Sequence, residues 1–454
     1  MIGKREARRI VNFVKDNSKA DQVEVSILNH EQALTRFANN YIHQNVSESN
    51  SSISIRVVLG KKLGIASTNS LDLKKIRETV AWAERIAHHQ RENKDFVSLP
   101  KAPSSKYRVL KSSVKSTGSF SERDRARAVG VIVGIARQND LDAFGSVSNG
   151  SAEICVGNSL GIFAYSVCGD IFTNIVMSTG NSTGYAQIGA RDVRDVDFKK
   201  LAEIAAKKAL LSRDPVDLSP GSYTTIFEPL AASEFIDYMS FYAFNGKIFQ
   251  EERSYLTGKL GSKIVDDRIT VVDDPFARNG FTFPFDFEGV PKKRLVLIDK
   301  GVAENVVYDS LAAYKEKKKS TGHALGAPNP FGPIPLNIVM KPGGKSVDEM
   351  IRETDHGILV TRFHYTNIID PHKLIFTGMT RDGTFLIENG KLTKGVKNLR
   401  FTENIIDVMN RVHSISNRPE LVAGDPGYGP RFATGTVVPA LKVRDFTFTS
   451  ATDF

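Results

Sequence analysis

Ile53, Ile55, Val57 and Leu59 alternate with Ser54, Arg56 and Val58, the period of two expected of a strand with one buried face. Residues 23–28 and 33–38 read as further strands, and Gly60 and Gly64 bracket a basic hairpin turn. On either side the period changes. Ile10, Val11 and Val14 give one apolar side to a short helix over residues 4–15. Ile76, Val80, Ala83 and Ala87 recur at i, i+4, i+7 and i+11 in a helix starting near Leu71. Residues 97–119, rich in Ser, Lys and Pro, predict a loop. Ser121 with Asp124 marks the capped start of another helix, whose tail over 129–135 is apolar nearly all round and is expected to be buried. Then come β segments at 143–148, 152–157, 161–167 and 171–177, with a hairpin loop at 158–161, and a helix over 196–212.

Leu218-Ser-Pro-Gly221 breaks the pattern and divides the chain into 1–217 and 218–454. The second part opens with a strand over 223–227 and a helix over 231–244. It continues with β segments at 269–272, 294–299, 337–340, 358–369, 373–379, 384–388 and 391–394. Asp382-Gly383 and Asn389-Gly390 predict tight hairpin turns, whose two central residues need positive φ. A last helix is expected over 402–413, with Ile405, Ile406, Met409 and Val412 inward. The fold class predicted is α+β, in two domains that each combine a largely antiparallel sheet with a few helices.

With 454 residues, 41% of them hydrophobic and 25% charged, the chain can build a large core without disulfides or a structural metal. The longest apolar run, 129–136, contains two glycines and is far short of the ~20 residues a membrane span needs. The basic N-terminus is followed by no apolar stretch of the secretory kind. Cys155 and Cys168 are the only cysteines, which excludes a disulfide framework and suits a reducing cytoplasm. The net charge of +10 comes from basic residues dispersed along the sequence, and the densest run, 315–319, is interrupted by Glu316. A solvated surface is the expectation, and no nucleic-acid partner is expected.

Candidate chemistry is sparse. Pro342-Gly-Gly-Lys-Ser346 lacks the glycine that a phosphate loop needs at position 339, and Ser346 with Glu349 instead forms a capping box. His356 and His364 share one strand face but stand ~26 Å apart at ~3.3 Å per residue. Asp266-Asp267 and Asp273-Asp274 read as turn chemistry, and neither cysteine has the electropositive setting of a reactive thiol. The residues alone point to no catalytic or metal-binding set.

A resemblance runs through the whole chain. Arg36-Phe-Ala-Asn-Asn40 followed by His43-Gln44-Asn45 resembles the N-terminal strand of the TldD/PmbA family. Leu218-Ser-Pro-Gly-Ser-Tyr223, Thr270-Val-Val-Asp-Asp274, Asp286-Phe-Glu-Gly289, Ser320-Thr-Gly-His323, Lys341-Pro-Gly-Gly-Lys-Ser346, Ile387-Glu-Asn-Gly-Lys391 and Pro439-Ala-Leu-Lys442 continue it in order. The resemblance implies a cytosolic protein of a zinc metalloprotease family that cleaves unstructured peptides. In that family a TldD-type subunit carries a His-Glu-x-x-x-His motif and a late Cys as zinc ligands. A TldE/PmbA-type partner has the same fold without them.

This sequence departs from the catalytic pattern. The motif position falls at Asp237-Tyr-Met-Ser-Phe-Tyr242, so Asp237, Tyr238 and Tyr242 stand where the His, Glu and His would be. No histidine occurs between 90 and 322, no cysteine follows Cys168, and Asp425 is nearest to the late Cys position. A catalytic zinc needs three protein ligands and an open position for water. The expectation is therefore a TldE/PmbA-like subunit with no metal of its own, zinc residing in a TldD-type partner. It would pair with that partner as a heterodimer, or with itself, and hold extended peptide by strand addition, with edges expected near 358–369 and 278–285. The alternatives are an active peptidase using Asp237, Asp425 and a C-terminal histidine, and a nucleic-acid or gyrase-associated binding protein.

Overall fold

The computed structural model describes residues 1–104, 106–108, 110, 112–427 and 429–452. The chain begins with helix α1 (Lys4–Asn17), strands β1 (Gln22–Ala38), β2 (Tyr41–Leu59) and β3 (Lys62–Thr68), and helix α2 (Leu73–His89). After the single turn α3 (Lys115–Gly118) come α4 (Glu122–Gln138), β4 (Asp142–Asn158), β5 (Phe163–Thr179), β6 (Ser182–Ala190) and α5 (Phe198–Leu211). The six strands form one antiparallel sheet in the order β3-β2-β1-β4-β5-β6.

Strand parity gives this sheet two different faces. Val25, Ile27, Ile55 and Cys155 face α1 and α2, while Ala143, Val147, Ile171 and Ile175 face α4 and α5. Ala152, Ile154, Val156 and Ala164 point the other way, onto Phe283 and Phe285 of the second half. All four long helices therefore lie on one side. Two glycines seat the outer pair: a Cβ on Gly64 would stand 2.0 Å from Ala83 O, and one on Gly184 2.2 Å from Ala205 O.

The second half starts with β7 (Gly221–Phe227), α6 (Pro229–Tyr242), α7 (Gly246–Gln250), β8 (Val271–Asp273), β9 (Leu295–Asp299) and β10 (Val302–Ala303). It continues through α8 (Ser310–Lys315), β11 (Ile338–Met340), α9 (Val347–Arg352), β12 (His356–Asp370), β13 (Ile375–Glu388) and β14 (Lys391–Gly395). The chain ends with β15 (Leu399–Asn404), α10 (Ile405–Asn410), β16 (Val412–Ile415), β17 (Glu420–Ala423), β18 (Gly435–Val438) and β19 (Leu441–Ala451). Strands β12, β7, β19, β15 and β13 follow one another, and pairing of β12 with β13 closes them into a barrel. A second sheet has the order β10-β9-β8-β11-β18-β17. The barrel is filled by phenylalanines, and Phe235 of α6 reaches Phe227, Phe363 and Phe376 with ring centres 5.2, 5.8 and 5.4 Å away. That contact fixes α6 across the barrel.

The α+β class, the antiparallel sheets and most elements follow the sequence pattern. The Ser121/Asp124 and Ser346/Glu349 capping boxes both form. Several expectations are corrected. The segments predicted at 143–148 and 152–157 are one strand, because Gly150 does not turn the chain: its bare Cα admits the side chain of Arg431, whose Cδ would lie 2.4 Å from a Cβ there. Asp382 and Gly383 do have positive φ (54° and 136°), yet they sit inside β13 at a bulge against β12 rather than in a hairpin turn. Residues 399–404 form a strand, so the last helix is confined to Ile405–Asn410. Strand β6 lies in a stretch with too little apolar alternation for the sequence pattern to mark it. Of the two expected edges, β12 is paired on both sides over 358–360 but only with β13 over 362–370, so an edge is present there, and 278–285 is not a strand. In the predicted loop at 97–119, positions 105, 109 and 111 lie outside the described residues, and Lys115–Gly118 is helical.

Three sequence motifs of the second half build its buried joints. His323 Nε2 stands 3.1 Å from Asp273 Oδ2, both side chains fully buried, with Thr321 Oγ1 2.9 Å from the other ring nitrogen. Burial pushes the Asp273 carboxyl up, but Lys292 and His323 beside it prevail and hold it near 2. Asp286 accepts backbone N–H groups from Glu288, Val290 and Ala324. Glu288 in turn meets Arg56 of β2 at 3.3 Å, and Arg56 also binds Glu24 at 2.8 Å. This buried charge cluster ties the two halves together.

Candidate functional site

Helix α6 follows β7 directly, with Pro229 at its first turn, where the missing N–H costs nothing. Ala231, Ala232, Phe235, Ile236 and Met239 turn into the core. Asp237 lies on the flank of that face, where its Oδ1 accepts a 2.5 Å hydrogen bond from Thr436 Oγ1 of β18. Burial pushes the Asp237 carboxyl up to about 7, against the Thr436 hydrogen bond, and Glu234 one turn earlier adds to the rise. Glu234 accepts a 2.9 Å hydrogen bond from Thr366 Oγ1, and its own carboxyl is raised by burial. Tyr238 and Tyr242, four residues apart, stack with ring centres 6.4 Å apart and planes 18° from parallel, and Tyr238 also packs against Phe376.

Asp425 is reached from a different direction. It lies in the connection between β17 and β18, where Oδ1 accepts the Gly427 N–H at 2.9 Å. This connection is strapped to the N-terminal sheet. The buried Arg431 donates from Nε and Nη2 to the two carboxylate oxygens of Asp170 at 2.8 and 2.6 Å, and Phe432 packs against Phe283 and Phe287. Asp425 thus lines a cavity of about 360 Å³ whose other wall is Arg36, His43, Gln44, Ser146 and Asn174. The Arg36 to Asn45 stretch singled out in the sequence is therefore part of the same cavity as Asp425.

Between Asp425 and α6 lies a group that sequence reasoning did not single out. Tyr185 of β6 is pushed up to about 12 by burial, opposed by Arg362 and reinforced by Asp425 and Asp382. The Arg362 guanidinium lies 4.3 Å over the Tyr185 ring and hydrogen-bonds Asp382 through Nε and Nη2. Glu234 was detectable in principle, since it stands three residues before Asp237 on one helix. Arg362, Tyr185 and Arg431 come from separate strands and loops, and no local spacing links them.

A wider cleft of about 850 Å³ runs beside this site between two sheet edges, β6 and β17. The edges converge where Gln187 Nε2 donates to Ala423 O at 3.1 Å and Gly189 meets Ala423. Farther out the cleft opens, with the Lys208–Glu228 ion pair (2.5 Å), Arg418 and Glu420 on its walls.

The donor set does not fit a catalytic zinc. Asp237 is engaged by Thr436, the two tyrosines present phenols rather than imidazole or carboxylate, and Asp425 belongs to a separate strap. Among the described residues no three His, Cys, Asp or Glu side chains gather in metal-binding reach. Asp266 and Asp274 accept N–H groups two residues on, as turn residues do. Cys155 and Cys168 are buried, which pushes both thiols up to about 12. No helix among the described residues is long and apolar enough to cross a membrane.

Two family models match this chain. The PmbA/TldA metallopeptidase C-terminal domain matches residues 220–450, and PmbA/TldA metallopeptidase domain 1 matches residues 23–87. A metalloprotease of Methanothermobacter thermautotrophicus is 25% identical over 286 residues, 61% of this chain and 62% of its own length. A metalloprotease TldD homolog of Buchnera aphidicola is 21% identical over 90% of this chain and 88% of its own. The crystal structure of TldE from Thermococcus kodakarensis superposes with a TM-score of 0.87 at 23% identity, covering 98% of this chain and all of that one, and so shares the fold.

Proposed function

The chain belongs to the PmbA/TldD metallopeptidase family, and within it we propose the role of a non-catalytic, TldE/PmbA-like subunit. The reading is carried by one observation: at the positions that the sequence resemblance sets against the zinc-binding motif, α6 presents a hydrogen-bonded Asp237 and a stacked Tyr238–Tyr242 pair. A hydrolytic zinc must hold an open site for water, which a carboxyl held by Thr436 and two phenols do not create. The subunit pairs with a TldD-type chain that carries the zinc, in the cytoplasm, and helps present unstructured or modified peptide to it.

Extended peptide is held in the cleft between β6 and β17. Each is the last strand of its sheet, so each has one side free to add a strand by main-chain hydrogen bonding, a mode that reads little sequence. The test is reconstitution. Mixed with a TldD-type subunit, the chain is expected to co-elute as a one-to-one complex that cleaves an unstructured peptide faster than the TldD-type subunit alone. Separate elution with unchanged cleavage would remove the subunit role.

A further inference from the structure

The basic surplus that looks dispersed along the sequence is gathered in space. Helices α1, α2, α4 and α5 together contain 17 Lys or Arg against seven Asp or Glu. That surplus of ten equals the formal charge of the entire chain, so everything outside these helices balances to zero. All four helices lie on the face of the N-terminal sheet opposite the one that packs on Phe283 and Phe285, with α5 at its edge also touching β13 and β14. Of the 17 basic side chains, only Lys15, Arg125 and Lys208 are not exposed. Arg125 is turned inward to Thr35 and Asn149, and Lys208 is paired with Glu228 in the cleft.

We propose that this helical layer is a docking surface for the phosphate backbone of double-stranded nucleic acid. Six strands ~4.8 Å apart span ~24 Å, and a 17-residue helix at 1.5 Å per residue is ~25 Å long. The two helix pairs sit over opposite ends of 17-residue strands ~56 Å long at ~3.3 Å per residue, so a duplex laid along the strands passes over all four and turns toward them about half of its ~33 phosphate charges, at one per ~1.7 Å. The helices lie flat, with Ile10, Val80, Ile132 and Ala205 beneath them, so contact is to backbone phosphates and independent of sequence. A lipid surface fits less well. Insertion between headgroups needs an exposed apolar face, and the outward side offers only the single residues Trp82, Val131 and Ile204.

The surface lies on the opposite side of the sheet from the cavity lined by Asp425, of its basic side chains only Lys200 and Lys208 of α5 border the wider cleft, and it does not depend on the subunit role proposed above. The test is fluorescence anisotropy of a labelled 20-base-pair duplex of mixed sequence with the full chain, across a KCl series. Binding at 50 mM salt is expected to weaken at least tenfold by 200 mM, because each phosphate contact releases counterions. A variant with one reversal per helix, Arg5→Glu, Lys74→Glu, Arg123→Glu and Lys207→Glu, should bind at least tenfold more weakly and with a shallower salt slope. Three of these put an acid near a helix N-terminus, which favours the fold, and a thermal melt checks that it is kept. Reversing Lys319, Lys341, Lys391 and Lys394 in the second half should change affinity less than twofold. No anisotropy change at 50 mM salt, equal loss in both variants, or capture by anionic vesicles but not by duplex would overturn the proposal.

Discussion

Arg431 reaches from the connection between β17 and β18 into the N-terminal sheet and meets Asp170 through two hydrogen bonds, with both side chains almost completely buried. The pair holds the segment bearing Asp425 against β4 and β5, and Gly150 is the residue that makes room for it. The shape of the cavity lined by Asp425 thus depends on an ion pair between distant parts of the sequence.

Asp170→Asn should be strongly destabilising. It keeps the volume but leaves the Arg431 guanidinium buried without its counter-charge, a loss of about 3–5 kcal/mol. Urea denaturation monitored by fluorescence gives the difference in unfolding free energy. A change below 1 kcal/mol would show that the pair is not the anchor.

Asp237 gives the protein a pH dependence of definite sign. Its folded carboxyl is raised from 3.8 to about 7, so the folded state holds the proton more tightly than the unfolded chain does. The group's contribution is most favourable below pH 4, falls as pH rises through 7 and is flat above that. Asp237→Asn, neutral throughout, should remove the slope and raise stability at pH 8 by about 4 kcal/mol, while leaving it little changed at pH 4. Parallel thermal melts at the two pH values test this; equal shifts at both would refute it.

Gly64→Ala should separate α2 from β3. The added methyl would fall 2.0 Å from Ala83 O and 2.9 Å from Ala87 Cβ, and both belong to helix backbone or its shortest side chains, which have no rotamer to yield. A cost of about 1–3 kcal/mol is expected from overpacking, read as a lowered melting temperature.

The two thiols should be silent in the native protein. Burial that pushes Cys155 and Cys168 up to about 12 leaves almost no thiolate at pH 8. Titration with a chromogenic disulfide should count no reactive cysteine before denaturant and two after it.

What could be read from the sequence was local. The period of two in β2 and of 3.6 in α2, together with the two capping boxes, depends on neighbours a few residues apart, and these elements formed as the pattern indicated. The misread positions had their reason elsewhere. The gap expected between 148 and 152 is absent because Gly150 leaves room for Arg431, 281 residues later, and Asp382-Gly383 keeps its turn-like φ angles within a continuous strand. The same holds for the site. Asp237, Tyr238, Tyr242 and Asp425 are singled out only by resemblance, and the groups around Asp237 and Asp425, Thr436, Arg362 and Tyr185, come from strands that only the fold brings near. The placement of the charge is also decided by the fold: four helices spread over about 200 residues carry the basic surplus on one face of a sheet.

The central claim is that this chain has no hydrolytic centre of its own. Its most direct test is incubation of the purified chain alone with a long unstructured peptide, in added zinc and in a chelator, with cleavage followed by mass spectrometry. The account predicts intact peptide in both. Cleavage that requires zinc and is abolished by the chelator would contradict it.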